Sequence, residues 1–239
     1  MGIGMKNDQL YLNKIIKIMK LQLKDISYTV GDKIILNKIN LEFENGLYAL
    51  LGLNGTGKTS LINIISTLKK PSTGNFFYNN VSVLNKPEYL RKDLGFMSQN
   101  LGLIQDFDII QNLTYFGLLK GCEKKSLNNN ISKILKDFDL ESYNNQKIKN
   151  LSGGIKQKIS FALSIINSPS VLILDEPVNN LDYLEREKMY LLLKDISKTS
   201  IVILSTHLIE EISRFCDKKV TISNGTVSLE NNINFQINS

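Results

Sequence analysis

The most informative stretch of this sequence is Gly52-Leu53-Asn54-Gly55-Thr56-Gly57-Lys58-Thr59. It has a glycine, four residues and then Gly-Lys-Thr, which is the spacing of a phosphate-binding P-loop. Glycines let the backbone bend tightly and bring its N–H groups onto phosphate oxygens. The apolar run 47–51 precedes the stretch and the apolar run 61–65 comes after it, as expected for a strand and a helix. The pattern therefore predicts a nucleoside triphosphate site rather than a glycine-rich turn that binds nothing.

The same stretch predicts a role for each kind of side chain within it. Lys58 would reach the β- and γ-phosphates, and the Thr59 hydroxyl would ligate Mg²⁺. A helix that begins near Lys58 would direct its positive dipole end at the same anion. The predicted nucleotide-binding residues here are Gly52, Leu53, Asn54, Gly55, Thr56, Gly57, Lys58, Thr59 and Ser60.

The composition is that of an ordinary globular protein of one large domain, or of a core with a subdomain. The chain has 239 residues, of which 42% are hydrophobic and 22% charged. No run approaches the roughly 18 apolar residues of a membrane span, and no signal peptide is evident. Cys122 and Cys216 are isolated, which favours two reduced packing cysteines. We therefore expect a cytoplasmic protein, and a net charge of +6 without a basic run is poor support for nucleic acid binding.

Residues 1–20 differ in pattern from the rest of the chain and are interpreted as an N-terminal extension. Leu12, Ile15, Ile16 and Met19 could share one helical face, which would suit a membrane surface or a partner. A frayed tail, or a misassigned start with Met5 or Met19 as the first residue, is the simpler alternative and is favoured.

From residue 21 to 239 the pattern predicts a single nucleotide-binding domain. Residues 21–46 alternate in polarity between turn residues, which indicates an antiparallel meander with one wet face. The run 47–51 is apolar throughout, as in a buried central strand of an α/β sheet. Residues 109–121 and 126–140 have helical patterns, and no strand is predicted between them and Val171. We expect an inserted helical subdomain at about residues 100–150.

A second chemical motif is Val171-Leu172-Ile173-Leu174-Asp175-Glu176. It predicts a buried parallel strand that delivers two carboxylates at its carboxyl end, where ligands bind in open α/β sheets. Alone, these acids could be a solvated strand end. Beside a P-loop, Asp175 would hold Mg²⁺ and Glu176 would polarise the attacking water.

A third motif, Leu151-Ser152-Gly153-Gly154, enters a predicted helix and could form a second anion cradle or a plain N-cap at Ser152. Alone this motif is a weak signal, but its position in the chain, after Gln99 and before Asp175, makes it specific for one family. With Asn180-Leu181-Asp182 and Ser205-Thr206-His207, the motifs occur in the order and at the distances of an ATP-binding cassette. From about Leu21 to Leu229 the sequence resembles the nucleotide-binding domain of an ABC transporter.

The resemblance implies a fold, an activity and a set of site residues. The fold is an α/β P-loop NTPase cassette with a RecA-like core, an antiparallel β subdomain and an inserted helical subdomain. The implied activity is hydrolysis of ATP with Mg²⁺. Roles implied for single residues are adenine stacking by Tyr28, metal and water sensing by Gln99, a γ-phosphate hydrogen bond from His207 and a dimer contact by Asp182. Two cassettes would close head to tail, so that Leu151, Ser152, Gly153 and Gly154 face the ATP of the other chain.

Departures from the family pattern are mild. Ile155 and Lys158 stand where Gln and Arg are frequent, and neither change removes a catalytic group.

Three functions compete. One is the ATPase subunit of a transporter with a separate transmembrane permease, peripheral to the membrane. The others are a non-transport ABC ATPase, such as one for iron–sulfur cluster assembly, and a subunit that binds ATP without turnover. Intact Glu176 and His207 argue against the last. Residues 103–121 resemble exporter cassettes, so export is favoured, whereas the cargo stays open.

Overall fold

The computed structural model describes residues 18–231, and it contains ten strands and seven α-helices within that range. The strands are β1 (Leu21–Val30), β2 (Lys33–Phe43), β3 (Gly46–Leu51), β4 (Thr73–Tyr78), β5 (Val81–Ser82), β6 (Leu94–Met97), β7 (Val171–Asp175), β8 (Ile201–Ser205), β9 (Lys218–Ser223) and β10 (Thr226–Asn231). The helices are α1 (Lys58–Ile65), α2 (Pro87–Arg91), α3 (Ile109–Leu119), α4 (Lys124–Asp137), α5 (Gly153–Ile165), α6 (Tyr183–Ser197) and α7 (Ile209–Ile212), with 3₁₀ turns at Glu141–Tyr143 and Ile148–Asn150.

Six strands form the larger sheet in the order β10-β9-β3-β8-β7-β6. All neighbours pair in parallel except β10, which runs antiparallel to β9 at the edge. Every residue of β3, β7 and β8 is buried, which explains why these strands are apolar without alternation. The two strands predicted at 47–51 and 171–175 thus lie in one sheet, on either side of β8. Their carboxyl ends meet at one edge of the sheet.

The smaller sheet is antiparallel, in the order β2-β1-β4-β5. In β2, buried Ile39, Leu41 and Phe43 alternate with exposed residues, so the predicted wet face is confirmed. This sheet packs its apolar face against the α1 side of the larger sheet, within one shared core that includes Phe43, Tyr48 and Ile62. It therefore lies beside the phosphate-loop stretch.

A helical segment comes after β6 and has an apolar core of its own. Leu113 on α3 and Leu127 on α4 are fully buried in it. Gly117 lets the two helices approach closely, since a Cβ there would lie 2.5 Å from a Leu127 methyl carbon. The helices end at Leu119 and Asp137, a little earlier than predicted, and no strand intervenes before β7. Within residues 18–231, none of the helices is long and apolar enough to span a membrane. The proposed extension at residues 1–20 falls mostly outside the described range.

Candidate active site

The loop between β3 and α1 is bent at three glycines. Gly52, Gly55 and Gly57 have φ angles of 149°, 79° and 107°, where other residues are strained. A Cβ on Gly52 would lie 2.6 Å from the Ile222 carbonyl oxygen, and one on Gly57 would lie 2.9 Å from a Leu36 methyl carbon. Space and backbone conformation therefore both require glycine at these two positions.

Lys58 is the first residue of α1, and its side chain turns back over the loop. Its Nζ atom lies 2.5 Å from the Gly52 carbonyl oxygen and 2.9 Å from that of Leu53, and only 8% of the residue is exposed. The first turn of α1 contains no acidic residue, so the positive end of its dipole is not offset by a neighbouring carboxylate. The loop thus presents an ammonium group and a helix N-terminus together, which suits an anion.

Asp175 ends β7 and is 8% exposed. Its Oδ1 atom accepts a hydrogen bond of 2.6 Å from the Ser205 hydroxyl, which lies directly across on β8. Burial raises the pKa of the Asp175 carboxyl, and the charge of Glu176 adds to that rise. The Ser205 hydrogen bond and the charges of Lys58 and His207 act in the opposite direction. Asp175 is therefore within electrostatic reach of Lys58, Glu176 and His207.

Glu176 has a left-handed backbone with φ of 53°, and its carboxylate is held at both oxygens. Oε1 lies 2.5 Å from His207 Nε2, and Oε2 accepts a hydrogen bond of 2.5 Å from the Asn179 side-chain amide. The Glu176 backbone N–H donates to the Ser205 hydroxyl oxygen at 2.9 Å. Ser205 therefore fixes both neighbouring acids, donating to Asp175 and accepting from Glu176.

Three residues of this site were not predicted from the sequence. Ser205 stood in the motif before His207, but its link to both acids depends on pairing across strands. Gln157 donates through its side-chain amide to the backbone carbonyls of Glu176 and Pro177, at 3.1 and 2.9 Å. Asn179 contacts the Glu176 carboxylate, and no sequence signal marked it.

Tyr28 and Gln99 approach the site from different elements. Tyr28 pairs across the small sheet with Leu36, the residue that packs on Gly57 of the loop. Lys69 Nζ lies 5.5 Å from the centre of the Tyr28 ring. Gln99 is exposed and lies two residues beyond the end of β6, at the same carboxyl edge as Asp175.

The residues predicted to act across a dimer cap helices in the single chain. Ser152 accepts a hydrogen bond of 3.3 Å from the Ile155 N–H at the start of α5, beside buried Leu151. Asp182 accepts one of 2.9 Å from the Glu185 N–H at the start of α6. Gly153 is exposed, whereas Gly154 packs against the turn that ends in Asp182, since a Cβ there would lie 2.9 Å from the Asn180 carbonyl oxygen. The first turn of α5 therefore packs against the turn that leads into α6.

The donor set suits Mg²⁺ shared with phosphate, rather than a metal held by protein alone. Over residues 18–231, no three His, Cys, Asp or Glu side chains are grouped as a metal site. Buried Asp175 offers a carboxylate whose charged form is disfavoured by burial, and a bound cation would stabilise that form. Thr59 is exposed on the adjoining first turn of α1. Oxygen ligands of this kind, completed by phosphates and water, match what Mg²⁺ prefers.

Comparisons with known proteins point to one family. A family model described as ABC transporter matches residues 36–179. An ABC transporter ATP-binding protein of Methanocaldococcus jannaschii is 33% identical over 86% of this chain and 75% of its own length. The Nod factor export ATP-binding protein I of Cupriavidus metallidurans is 30% identical, over 86% of this chain and 68% of that protein. Human ATP-binding cassette sub-family A member 10 is 32% identical over 77% of this chain, which spans only 12% of that protein.

Solved structures agree with the sequence comparisons. The ATP-binding subunit of an ABC transporter superposes with a TM-score of 0.82 at 25% identity, over 88% of this chain and 89% of that one. The ATP-binding cassette MJ0796, a dimer in a post-hydrolysis state with ADP and Pi, gives 0.80 at 27% identity, over 90% and 100% of the two chains. The predicted fold class is thereby confirmed.

Proposed function

The chain belongs to the ABC transporter family as an ATP-binding cassette, and from that premise we propose that it hydrolyses ATP to power export through a separate membrane subunit. The observation that carries the proposal is the Glu176 carboxylate, which is fixed by His207 and Asn179 and is adjacent in the chain to Asp175. The charge of Lys58 acts on the Asp175 carboxyl. A cassette that only binds ATP has no need of a carboxylate oriented at both oxygens.

The proposed reaction assigns a role to each of these groups. A water oxygen attacks the γ-phosphorus, the bond from that phosphorus to the bridging oxygen breaks, and ADP leaves with the electron pair. Glu176 orients the water and accepts its proton, while His207 donates a hydrogen bond that keeps the carboxylate in place before ATP binds and contacts the γ-phosphate afterwards. Lys58 and the loop N–H groups hold the phosphates. Tyr28 stacks on adenine, and Gln99 senses the metal and the water.

Thr59 and Asp175 would hold Mg²⁺, with Gln99 near it. When bound, the ion neutralises phosphate charge that develops as the bond breaks. The raised pKa of Asp175 is consistent with a carboxyl that becomes stable in its charged form only with a cation beside it.

The partners in this proposal are a second cassette and a separate transmembrane permease, through which the chain would be associated with the inner face of the cell membrane. A related cassette was solved as a dimer, which supports pairing of two copies or of two different cassettes. In such a pair Ser152, Gly153 and Gly154 would close over the other chain's ATP, and Asp182 would lie at the contact. Relatives named for Nod factor export support the direction of transport. The cargo would be chosen by the membrane subunit.

The substitution Glu176→Gln tests this function. Gln keeps the shape of the side chain but cannot accept the water proton, so turnover should fall by about a hundredfold or more while ATP still binds. The variant should accumulate as an ATP-bound dimer on size-exclusion chromatography. Lys58→Ala should behave differently and weaken nucleotide binding itself, by about tenfold or more, because a charge-assisted phosphate contact is lost.

The matched control is Glu141→Gln, the same chemical change in an exposed 3₁₀ turn of the helical segment. It should leave turnover and binding unchanged. Turnover by Glu176→Gln at the wild-type rate would remove Glu176 from the proposed role, and a wild-type chain that binds ATP without hydrolysing it would support the binding-only alternative.

A further inference from the structure

Arg186, in the first turn of α6, joins two segments that carry site residues. Its guanidinium makes a bidentate pair with Glu211 on α7, with Nε to Oε2 and Nη2 to Oε1 both at 2.9 Å. The remaining nitrogen, Nη1, donates to the Leu181 backbone carbonyl at 2.8 Å. Both side chains are about three-quarters buried, with 22% and 24% of their surfaces exposed. A bidentate pair of this kind contributes more to stability than an exposed ion pair, and its two parallel hydrogen bonds fix the relative orientation of the two side chains.

These contacts close a ring that includes the proposed catalytic pair. The chain runs from Glu176 through the turn to Leu181, whose carbonyl is bound by Arg186. Arg186 holds Glu211, and the chain runs back from Glu211 over four residues to His207. His207 Nε2 then returns to the Glu176 carboxylate at 2.5 Å. Lys58 and the phosphate loop are not members of this ring.

The first turn of α6 is also tied to the helix that carries Ser152, Gly153 and Gly154. Glu185, next to Arg186, pairs with Lys158 on α5. One turn further along α6, buried Tyr190 stacks on Phe215, with ring centres 5.3 Å apart. Arg186 and Glu185 therefore contact different neighbours from adjacent positions, and the Arg186 pair links α6 to the segment that carries His207.

We propose that Arg186 is a positioning residue, which through Glu211 and the Leu181 carbonyl keeps His207 in contact with Glu176. Without it the ring is open, and α6 no longer holds Glu211, which lies four residues along the chain from His207. The inference rests on the proposed function for its effect on turnover, but the contact that it predicts does not depend on ATP hydrolysis. The expected effect falls on kcat rather than on nucleotide binding, because the ring positions Glu176 and His207, which act during turnover in the proposed function, whereas the phosphate loop lies outside it.

His207 is the only histidine in the chain, which provides a direct measurement. In the full chain purified without a histidine tag, NMR of the imidazole C–H groups gives signals from one residue. Glu176→Ala supplies the reference for an imidazole without its partner. The signal of Arg186→Ala should move from the wild-type position towards that reference, and Glu211→Gln should move it the same way. Lys198→Ala, which removes an exposed pair with Asp195 at the end of α6, should leave the signal in place.

Kinetics provides the second measurement. For Arg186→Ala, kcat should fall by about tenfold or more while the Kd of a fluorescent ATP analogue changes by less than about threefold. The exchanged pair Arg186→Glu with Glu211→Arg should raise kcat above that of either single variant. If Arg186 only stabilised the fold, Arg186→Ala would lower the unfolding midpoint. At a temperature where all variants are folded, it would then lower kcat no more than it weakens nucleotide binding.

Two results would overturn the proposal. One is a His207 signal in Arg186→Ala that coincides with the wild type, and the other is a kcat within about twofold of it. Should Arg186→Ala not fold, Arg186→Lys and Glu211→Gln are judged by the same two criteria. If the wild type itself hydrolyses no ATP, the proposed function fails, and the NMR comparison still decides whether Arg186 positions His207.

Discussion

At the scale of single residues, the site is built at the expense of local stability. Asp175 is buried next to a second acid, and the Ser205 hydroxyl offsets only part of that cost. Glu176 has a left-handed backbone that a residue with a side chain rarely adopts. Strained backbone and unfavourably buried charge are common at ligand-binding sites, where removing them often raises the stability of the free protein.

We expect Asp175→Asn to abolish Mg²⁺-dependent turnover and to stabilise the protein without nucleotide, by about 1 kcal/mol at neutral pH. Because burial raises the folded-state pKa of Asp175, the native state holds this proton more tightly than the unfolded state. Below the unfolded-state pKa the Asp175 carboxyl is protonated in both the folded and the unfolded state, so the cost of burying its charge vanishes. As the pH rises through the raised folded pKa, the wild type loses stability that the variant keeps.

Denaturant unfolding at about pH 3 and pH 7 measures this difference. The control is Asp195→Asn, because Lys198 lowers the pKa of that exposed carboxyl and the pH trend should have the opposite sign. Equal effects of Asp175→Asn at the two pH values would contradict the assignment of the cost to ionisation.

At the scale of elements, the first turn of α5 presents two glycines in different surroundings. A Cβ on Gly153 would have its nearest neighbours 3.9 Å away, at Asn180 side-chain carbons. On Gly154 it would lie 2.9 Å from the Asn180 carbonyl oxygen, which belongs to the backbone and cannot easily move. A methyl group therefore fits at Gly153 but would be forced against the backbone at Gly154.

We predict that Gly154→Ala lowers the free energy of unfolding by about 1–3 kcal/mol, the usual cost of forcing a methyl group into a packed contact. Its matched control, Gly153→Ala, should raise that free energy by about 0.5 kcal/mol, since alanine restricts the unfolded chain more than glycine does. Thermal unfolding of the two variants makes the comparison. Equal destabilisation by both would show that the contact with Asn180 does not set the position of α5.

At the scale of the whole molecule, the nucleotide edge of the large sheet continues into the helical segment through residues 98–108. Leu103 and Ile109 are buried in the helical core, whereas Phe107 is half-buried and Ile110 is 38% exposed. The Phe107 ring meets Tyr115 edge-on at 6.0 Å. With Tyr115 and Leu119 also exposed on α3, an apolar surface lies beside the segment after Gln99.

We predict that Phe107→Asp prevents co-purification with the membrane subunit while the isolated chain still folds and hydrolyses ATP. A charge at the centre of an apolar contact carries a desolvation cost of about 2 kcal/mol or more. Leu191→Asp, at a 57% exposed position on α6, is the control and should assemble normally. Normal assembly of Phe107→Asp would remove this residue from the interface. Loss of ATPase activity in the isolated variant would instead assign it to packing of the helical segment.

The fold class, the family and the main elements around the site could be predicted without the structure. These depend on local patterns: apolar runs for β3, β7 and β8, alternation in β2, and the spacing of glycines around Lys58. In the structure, neighbouring atoms and backbone conformation both require glycine in the phosphate loop, but the motif had already predicted glycine at these positions. Bounds such as the ends of α3 at Leu119 and α4 at Asp137 could not be predicted, because the last turn of a helix depends on the side chains that pack against it.

The contacts among the site residues, in contrast, could be learned only from the folded chain. Ser205 reaches both Asp175 and Glu176 because β7 and β8 pair in a particular register, and residues 30 positions apart carry no local sign of it. The same holds for Asn179 on Glu176 and for Arg186 on Glu211, 25 positions away. A periodic pattern reports which face of an element is buried. Hydrogen bonds between side chains depend on distances and directions that are fixed only when the elements pack together.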